Sequence, residues 1–177
     1  MIEYLSYFWV LLINSALFGL FTKLADLCDE HKWKPFKGAG ILFGVFWGIF
    51  GAAVVIGSPL LGSFYLAILF HWILRGKIDY LNHRIATVII LISLIAIASQ
   101  YAFDWYLFGI VFVSFTIFGF LRDYRIINKS WFIAYNVYAY VIIVVFALIS
   151  SSYLIVLYSY LLNTIFYHIG KQLGHEK

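Results

Sequence analysis

The sequence predicts an all-α fold, a polytopic integral membrane helical bundle of about seven short transmembrane helices in a single domain covering residues 1–177. Three observations predict it. The chain is 64% hydrophobic and only 11% charged; its apolar residues fall into long runs parted by short polar turns; and all 12 Lys and Arg lie on one side if the chain crosses seven times. Soluble domains average about 45–50% apolar and about 25% charged residues. A water-soluble chain of 177 residues could not hide this much apolar surface, because small domains leave a large share of their surface exposed. The bilayer must act as the solvent. The runs are apolar throughout, where a membrane barrel would alternate, and a helix satisfies its backbone within its own segment.

The first run, 4–24, follows Glu3 with no basic residue before it and no small-residue cleavage site after it, so it reads as a retained helix and not as a removed leader. The second, 38–57, carries Gly38, Gly40, Gly44, Gly48 and Gly51. The spacing Gly40-x-x-x-Gly44-x-x-x-Gly48 leaves one smooth face on which a neighbouring helix packs closely, and the same stripe could join two copies into a homo-oligomer. The third run, 59–75, opens after Gly57-Ser58-Pro59, with Pro59 suited to a first helical position. Runs 84–103 and 105–121 are parted by Asp104, and runs 131–149 and 151–169 by Ser150-Ser151-Ser152. Several barely reach the ~17–25 residues that a spanning helix needs, so the count stands at six or seven.

Seven crossings place Lys23, Lys32, Lys34 and Lys37, then Arg75, Lys77 and Arg84, then Arg122, Arg125 and Lys129, then Lys171 and Lys177 on one side. The positive-inside rule makes that side cytoplasmic, with the N-terminus outside and the C-terminus inside a cell membrane. A crossing count off by one would scatter these charges, so the clean partition supports both count and topology. The same reasoning explains the pI near 9.1 without nucleic acid. Cys28, the single cysteine, excludes an internal disulfide.

The acids carry more information, because acids contribute little to topology. Asp26, Asp29, Glu30, Asp79, Asp123 and Glu176 share the basic side, leaving only Glu3 and Asp104 opposite, and all five histidines, 31, 71, 83, 168 and 175, lie at or near the same helix ends. At the end of the first run, Lys23-x-x-Asp26-x-x-Asp29-Glu30-His31 places two carboxylates three apart on one helix face. Oxygen ligands so spaced suit Mg²⁺, and three acids at a helix C-terminus, where the macrodipole disfavours them, want a cation or a basic partner nearby. Lys32, Lys34 and Lys37 are the ordinary candidates for that partner. Between the third and fourth runs, Arg75-Gly-Lys77-Ile-Asp79-Tyr-Leu-Asn82-His83-Arg84 offers Asp79 to a metal or as the orienter of His83, and Arg75 and Lys77 to a phosphate. Asp79 and Asn82 would otherwise simply shape a turn. At the end of the fifth run, Arg122-Asp123-Tyr124-Arg125 could grip a lipid phosphate or serve as an interfacial anchor.

Inside the membrane, Asn14, Ser15, Ser114, Thr116, Asn136, Ser159, Asn163 and Thr164 are expected to bond neighbouring helices. No Asp, Glu, Lys or Arg lies in mid-membrane, which argues against a proton pump with an acidic relay and against a voltage sensor. P-loop, His-Glu-x-x-His and Gly-x-Ser-x-Gly motifs are missing.

Two functions from different classes fit. One is a membrane-embedded enzyme acting on a lipid with a phosphate or diphosphate head at the cytoplasmic face. In it Asp26, Asp29, Glu30 and Asp79 would hold Mg²⁺, Arg75, Lys77, Arg122 and Arg125 would neutralise phosphate, and His31 or His83 would move a proton. The other is a small transporter, channel or structural membrane protein. There, Asn136, Asn163 and His168 would face one cavity.

Overall fold

The computed structural model of the chain describes residues 7–97, 101–124, 131–134 and 136–173. Among them, helix accounts for nearly everything and no strand occurs. Seven principal helices follow one another: α1 (Phe8–Glu30), α2 (Ala39–Gly57), α3 (Pro59–Leu74), α4 (Leu81–Ile97), α5 (Trp105–Asp123), α6 (Val137–Ile149) and α7 (Leu154–Leu173). One helical turn, Trp131–Ala134, precedes α6, and a 3₁₀ turn, Ser151–Tyr153, leads into α7. Among the described residues, four segments are long and apolar enough to cross a membrane: α1, α2, α5 and the continuous stretch Ser151–Leu173. Helices α3, α4 and α6 are apolar but shorter, at 16, 17 and 13 residues. The chain is therefore a helical bundle with the character of a membrane protein.

Local chemistry sets most of the boundaries. Ser58 caps α3 through its hydroxyl on the Leu61 amide, with Pro59 in the first turn. Asp104 caps α5 by accepting from the Leu107 amide at 2.9 Å. Helix α3 stops at Gly76, whose φ of +66° is the left-handed conformation a helix end needs, and Lys77 N closes the turn on Trp72 O.

Three boundaries depart from the sequence reading. Helix α1 continues past residue 24 to Glu30, because nothing in Ala25–Glu30 breaks a helix once its polar face can leave the lipid. Helix α4 begins at Leu81 and ends at Ile97, so Tyr101–Phe103 lie outside it. The expected run 131–149 is not one helix: Asn136 sits at φ +52° and parts the Trp131–Ala134 turn from α6. Asparagine is one of the few residues that tolerate this conformation.

Helix α3 is the axis of the bundle. Its residues Leu61 to Leu69 are buried without interruption, as expected of a helix that is apolar all round. It packs against α2, α5 and α7, while α1 lies between α2 and α7, and α4 lies on the outer side of α2. Small residues let the helices approach. Gly19 meets the backbone of Asn163, and Gly44 and Gly48 meet Asn82 and Ala86 of α4. The predicted glycine stripe thus carries a helix of the same chain. Deep in the bundle the hydroxyls of Ser15 and Ser159 bond each other, Tyr65 Oη lies 3.0 Å from Ser159 Oγ, and Asn163 Nδ2 donates to Ser15 O.

The two ends differ. At one end Asp26, Arg75, Lys77, His83 and Asp123 are linked across helices. At the other, Asp104 accepts from Tyr153 Oη at 2.7 Å and its amide donates to Ser63 Oγ. The gathering of charge at one end, which alternating loops predict, holds for these described residues.

Close helix contact gives a direct test. A Cβ at Gly44 would stand 2.8 Å from the Cα and carbonyl oxygen of Asn82, whereas one at Gly109 meets nothing within 4 Å. Gly44→Ala is expected to destabilise the purified protein by about 1–3 kcal/mol. Gly109→Ala should be neutral or stabilise by up to about 1 kcal/mol. Thermal melts in one detergent compare them, and equal melting points would contradict the α2–α4 packing.

Candidate functional site

Because α1 runs on to Glu30, Asp26 stands on a helix at the charged end, facing α4 and α7. His83 Nε2 lies 3.1 Å from Asp26 Oδ1, and Tyr167 Oη of α7 donates to Asp26 Oδ2 at 3.0 Å. The other ring nitrogen of His83, Nδ1, lies 3.2 Å from Lys77 O. Asp79 Oδ1 is 3.8 Å from that same nitrogen. A carboxylate and a carbonyl can only accept, so the ring meets both neighbours as a donor only when both nitrogens carry protons. An ionised Asp26 therefore asks for an imidazolium at His83, and the two form an ion pair when the ring is protonated. The next residue locks its position: Asn82 Nδ2 donates to Ala25 O of α1, and Asn82 Oδ1 accepts from the His83 amide. Trp47 and Tyr80 stand edge-on to the imidazole, with ring centroids 5.2 and 5.5 Å away.

A second cluster lies across the same end. The Arg75 side chain is 1% exposed, and its Nε and Nη2 donate to Asp123 Oδ2 at 3.0 and 2.7 Å. Lys77 Nζ reaches Asp123 Oδ1 at 3.4 Å. The guanidinium fits against α5 because Gly119 has no side chain there. Arg75 Nη1 also lies 3.1 Å from His71 Nε2, while His71 Nδ1 bonds Ile68 O. Arginine only donates, so His71 accepts on Nε2 and donates from Nδ1, as a neutral ring. The two histidines therefore meet different partners: His83 lies between two oxygens, and His71 between a guanidinium and a carbonyl.

Both clusters border one cavity of about 680 Å³. Asp26, Glu30, Asp79, His83, Arg75, Lys77 and Arg122 line it. Deeper in, the wall turns apolar and aromatic, with Phe18, Val55, Tyr65, Ile68, Phe115 and Tyr160. The volume falls within the ~300–1,000 Å³ range of small-molecule sites.

Of the residues expected to hold a metal, Asp26, Glu30 and Asp79 line this cavity, but Asp29 does not. It borders a separate cavity of about 570 Å³ with Cys28, Trp33, Lys34, Lys37 and Asn82. Three positions along a helix turn a side chain by about 60°, enough to put the two aspartates on either side of the α1–α4 contact. Among the described residues, no three His, Cys, Asp or Glu side chains are grouped to hold a metal ion. Of the two expected proton carriers, His83 is in the cavity, while His31 is exposed at the end of α1 and lines neither cavity. Of the phosphate ligands, Arg75, Lys77 and Arg122 line the cavity; Arg125 lies outside the described residues, as do Glu3, Lys129, His175, Glu176 and Lys177. Asn136, Asn163 and His168 also line it.

Sequence reasoning missed Tyr167, the second partner of Asp26, and Trp47 beneath His83. A signal existed for one further contact: His71 and Arg75 are four apart, the spacing at which helical side chains meet. Tyr167 gave none, since 14 tyrosines are spread along the chain.

Asp123 carries a testable burden. Asp123→Asn leaves the nearly inaccessible Arg75 guanidinium without its counter-charge, at an expected cost of about 2–4 kcal/mol. Arg75→Met with Asp123→Asn removes both charges and should recover more than half of that loss in a denaturation series. Additive losses would show that the pair is not coupled. Comparison of the chain with protein-family models, with curated proteins and with solved structures finds no match.

Proposed function

We propose that this chain is a membrane-embedded enzyme that acts on a lipid with a phosphate or diphosphate head at the cytoplasmic face of the cell membrane. Its helices cross seven times, with the N-terminus outside and the charged end of the bundle inside. The observation that carries this reading is the two-ended cavity, charged at its mouth and aromatic in its depth. A head and a hydrocarbon tail ask for that division.

The roles follow from reach. Lys77 is about half exposed and Arg122 is exposed, so these two meet the phosphate, while Arg75, held by Asp123, lends a fixed positive field. As water attacks the phosphorus and the P–O bond to the lipid breaks, His83, as an imidazolium, acts as a general acid, its Nδ1–H turning from Lys77 O to the leaving oxygen; Asp26 holds the ring through Nε2, and Tyr167 holds Asp26. Asp79 and Glu30, the carboxylates at the mouth not engaged by Tyr167, are the positions at which a phosphate-bound Mg²⁺ would be met. Metal and cationic clamps stabilise charge that develops on a phosphoryl group.

Transport is the second reading, and one observation favours it: Asn136, Asn163 and His168 line the same cavity as the charged groups. In it the cavity is one half of a path and the charged mouth is a gate.

Purified protein in phosphatidylcholine nanodiscs, given phosphatidate and isoprenyl diphosphate probes with and without Mg²⁺, separates the two. The enzyme reading expects a modified product, and His83→Gln should slow its formation by at least about 10²-fold, the usual contribution of a positioned acid. Lys77→Ala with Arg122→Ala should raise KM. Solute flux in liposomes, with no product and no sensitivity to His83→Gln, would replace the enzyme with the transporter.

A further inference from the structure

Among the described lysines, Lys23 alone is buried, at 5% exposed. Orientation in the membrane asks only for basic residues on the cytoplasmic side, and an exposed lysine serves that end without the cost of burying a charge. The surroundings of Lys23 give it another use. Its ammonium lies over the ring of Tyr167, 5.4 Å from the centroid, inside the ~6 Å at which a cation is drawn to an aromatic face. Gly170, three residues further along α7, leaves room for the lysine stem, since a Cβ there would stand 3.1 Å from Lys23 Cβ. The same Tyr167 donates its hydroxyl proton to Asp26 Oδ2, and Asp26 Oδ1 meets His83 Nε2. Ammonium, phenol, carboxylate and imidazole thus stand in one line of contacts joining α1, α7 and α4.

The charges around His83 show what such a line is for. Three carboxylates act on the ring: Asp26 in contact, Asp79 at 3.8 Å from Nδ1, and Asp29 through space. The cations nearby are turned elsewhere. Lys77 offers the ring its carbonyl while its ammonium goes to Asp123, and Arg84 turns to Ile78 O. Trp47 of α2 and Tyr80 present ring edges. Glu30, His168, Arg75 and Arg122 line the same cavity without a hydrogen bond to the imidazole among the described residues. Negative charge so close favours keeping the proton on His83. A general acid must also release it.

We propose that Lys23, acting through Tyr167, is a positioning residue of the Asp26–His83 pair. The ammonium draws electron density from the phenol, which becomes a stronger donor to the carboxylate, and the carboxylate then holds the imidazolium less tightly. The proton of His83 is kept releasable. The use of this setting in catalysis rests on the lipid-phosphate function proposed above; the setting itself does not.

Titration of the His83 ring by ¹⁵N NMR tests this without any substrate. Full-length protein labelled at histidine is held in phosphatidylcholine nanodiscs, and His83→Gln assigns the signal. Lys23→Met removes the cation; Tyr167→Phe removes the donor and keeps the ring face. Each loss strengthens the hold of Asp26 on the imidazolium, so each is expected to move protonation of His83 to higher pH, by about one unit. Lys23→Arg keeps the charge and should titrate close to wild type. If Lys23→Met does not fold, Lys23→Gln repeats the measurement. The double variant should move no further than the larger single one, because the two residues act in series. Fully additive shifts would show that Lys23 reaches Asp26 without Tyr167, and they overturn the proposal. So does an unmoved titration in either single variant, or a shift in Lys23→Arg as large as in Lys23→Met. Where a lipid phosphate is turned over, the alkaline limb of the rate profile should rise with the titration. A moved titration with no turnover of any probe removes the function and keeps the positioning. Turnover with an unmoved titration does the reverse.

Discussion

The burial of the middle of α3, from Leu61 to Leu69, is the constraint on which the rest of the structure depends. These residues present no free face, so α2, α5 and α7 must cover them. In lipid no hydrophobic effect pulls helices together; close packing and interhelical hydrogen bonds must do so. The chain supplies both. Glycines bring α1 against α7 and α2 against α4, and the hydroxyls of Ser15, Tyr65 and Ser159 join α1, α3 and α7 in the interior. Phe18 and Tyr65 pack edge-on against each other and line the cavity.

A central α3 also decides the chemistry of the charged end. Its last turn carries His71 and Arg75 into the bundle, where a cation is costly unless paired. Asp123 supplies the charge, Gly119 the room and His71 a neutral acceptor. Across the cavity the logic is reversed. Asp26 on α1 is the anion that needs a donor, and His83 and Tyr167 provide two. The lining of one cavity thus includes a carboxylate served by donors and a guanidinium served by acceptors.

The fold was legible in the sequence because hydropathy and chain breakers report on it directly. Pro59 opens α3 and Asp104 opens α5 at the expected places. The break at Asn136 was not legible, since a lone asparagine in an apolar run reads equally well as an interhelical hydrogen bonder. At the site, the residue types and their sidedness were legible and the directions of the side chains were not. Asp26 and Asp29 look equivalent three apart, yet they border different cavities, because which of them meets His83 of α4 and Tyr167 of α7 is a tertiary fact. Tyr167 joins Asp26 from 141 residues away, a separation that no local pattern encodes.

The least favourable choice in the chain is also its most informative. Helix α1 ends in Asp26, Asp29 and Glu30, where its own dipole opposes negative charge, and only Asp26 is rescued by a hydrogen-bonded cation and a phenol. Asp29 keeps a buried oxygen with no partner among the described residues, although lysines stand in the loop that follows. Topology does not require these acids, since acids contribute little to orientation, and packing would be better served by apolar side chains. Local violations of this kind are where folds carry function. Of the three carboxylates, Asp26 is the one that lines the cavity and is held by both an imidazole and a phenol, and it is at that pair that the proposed proton transfer is set.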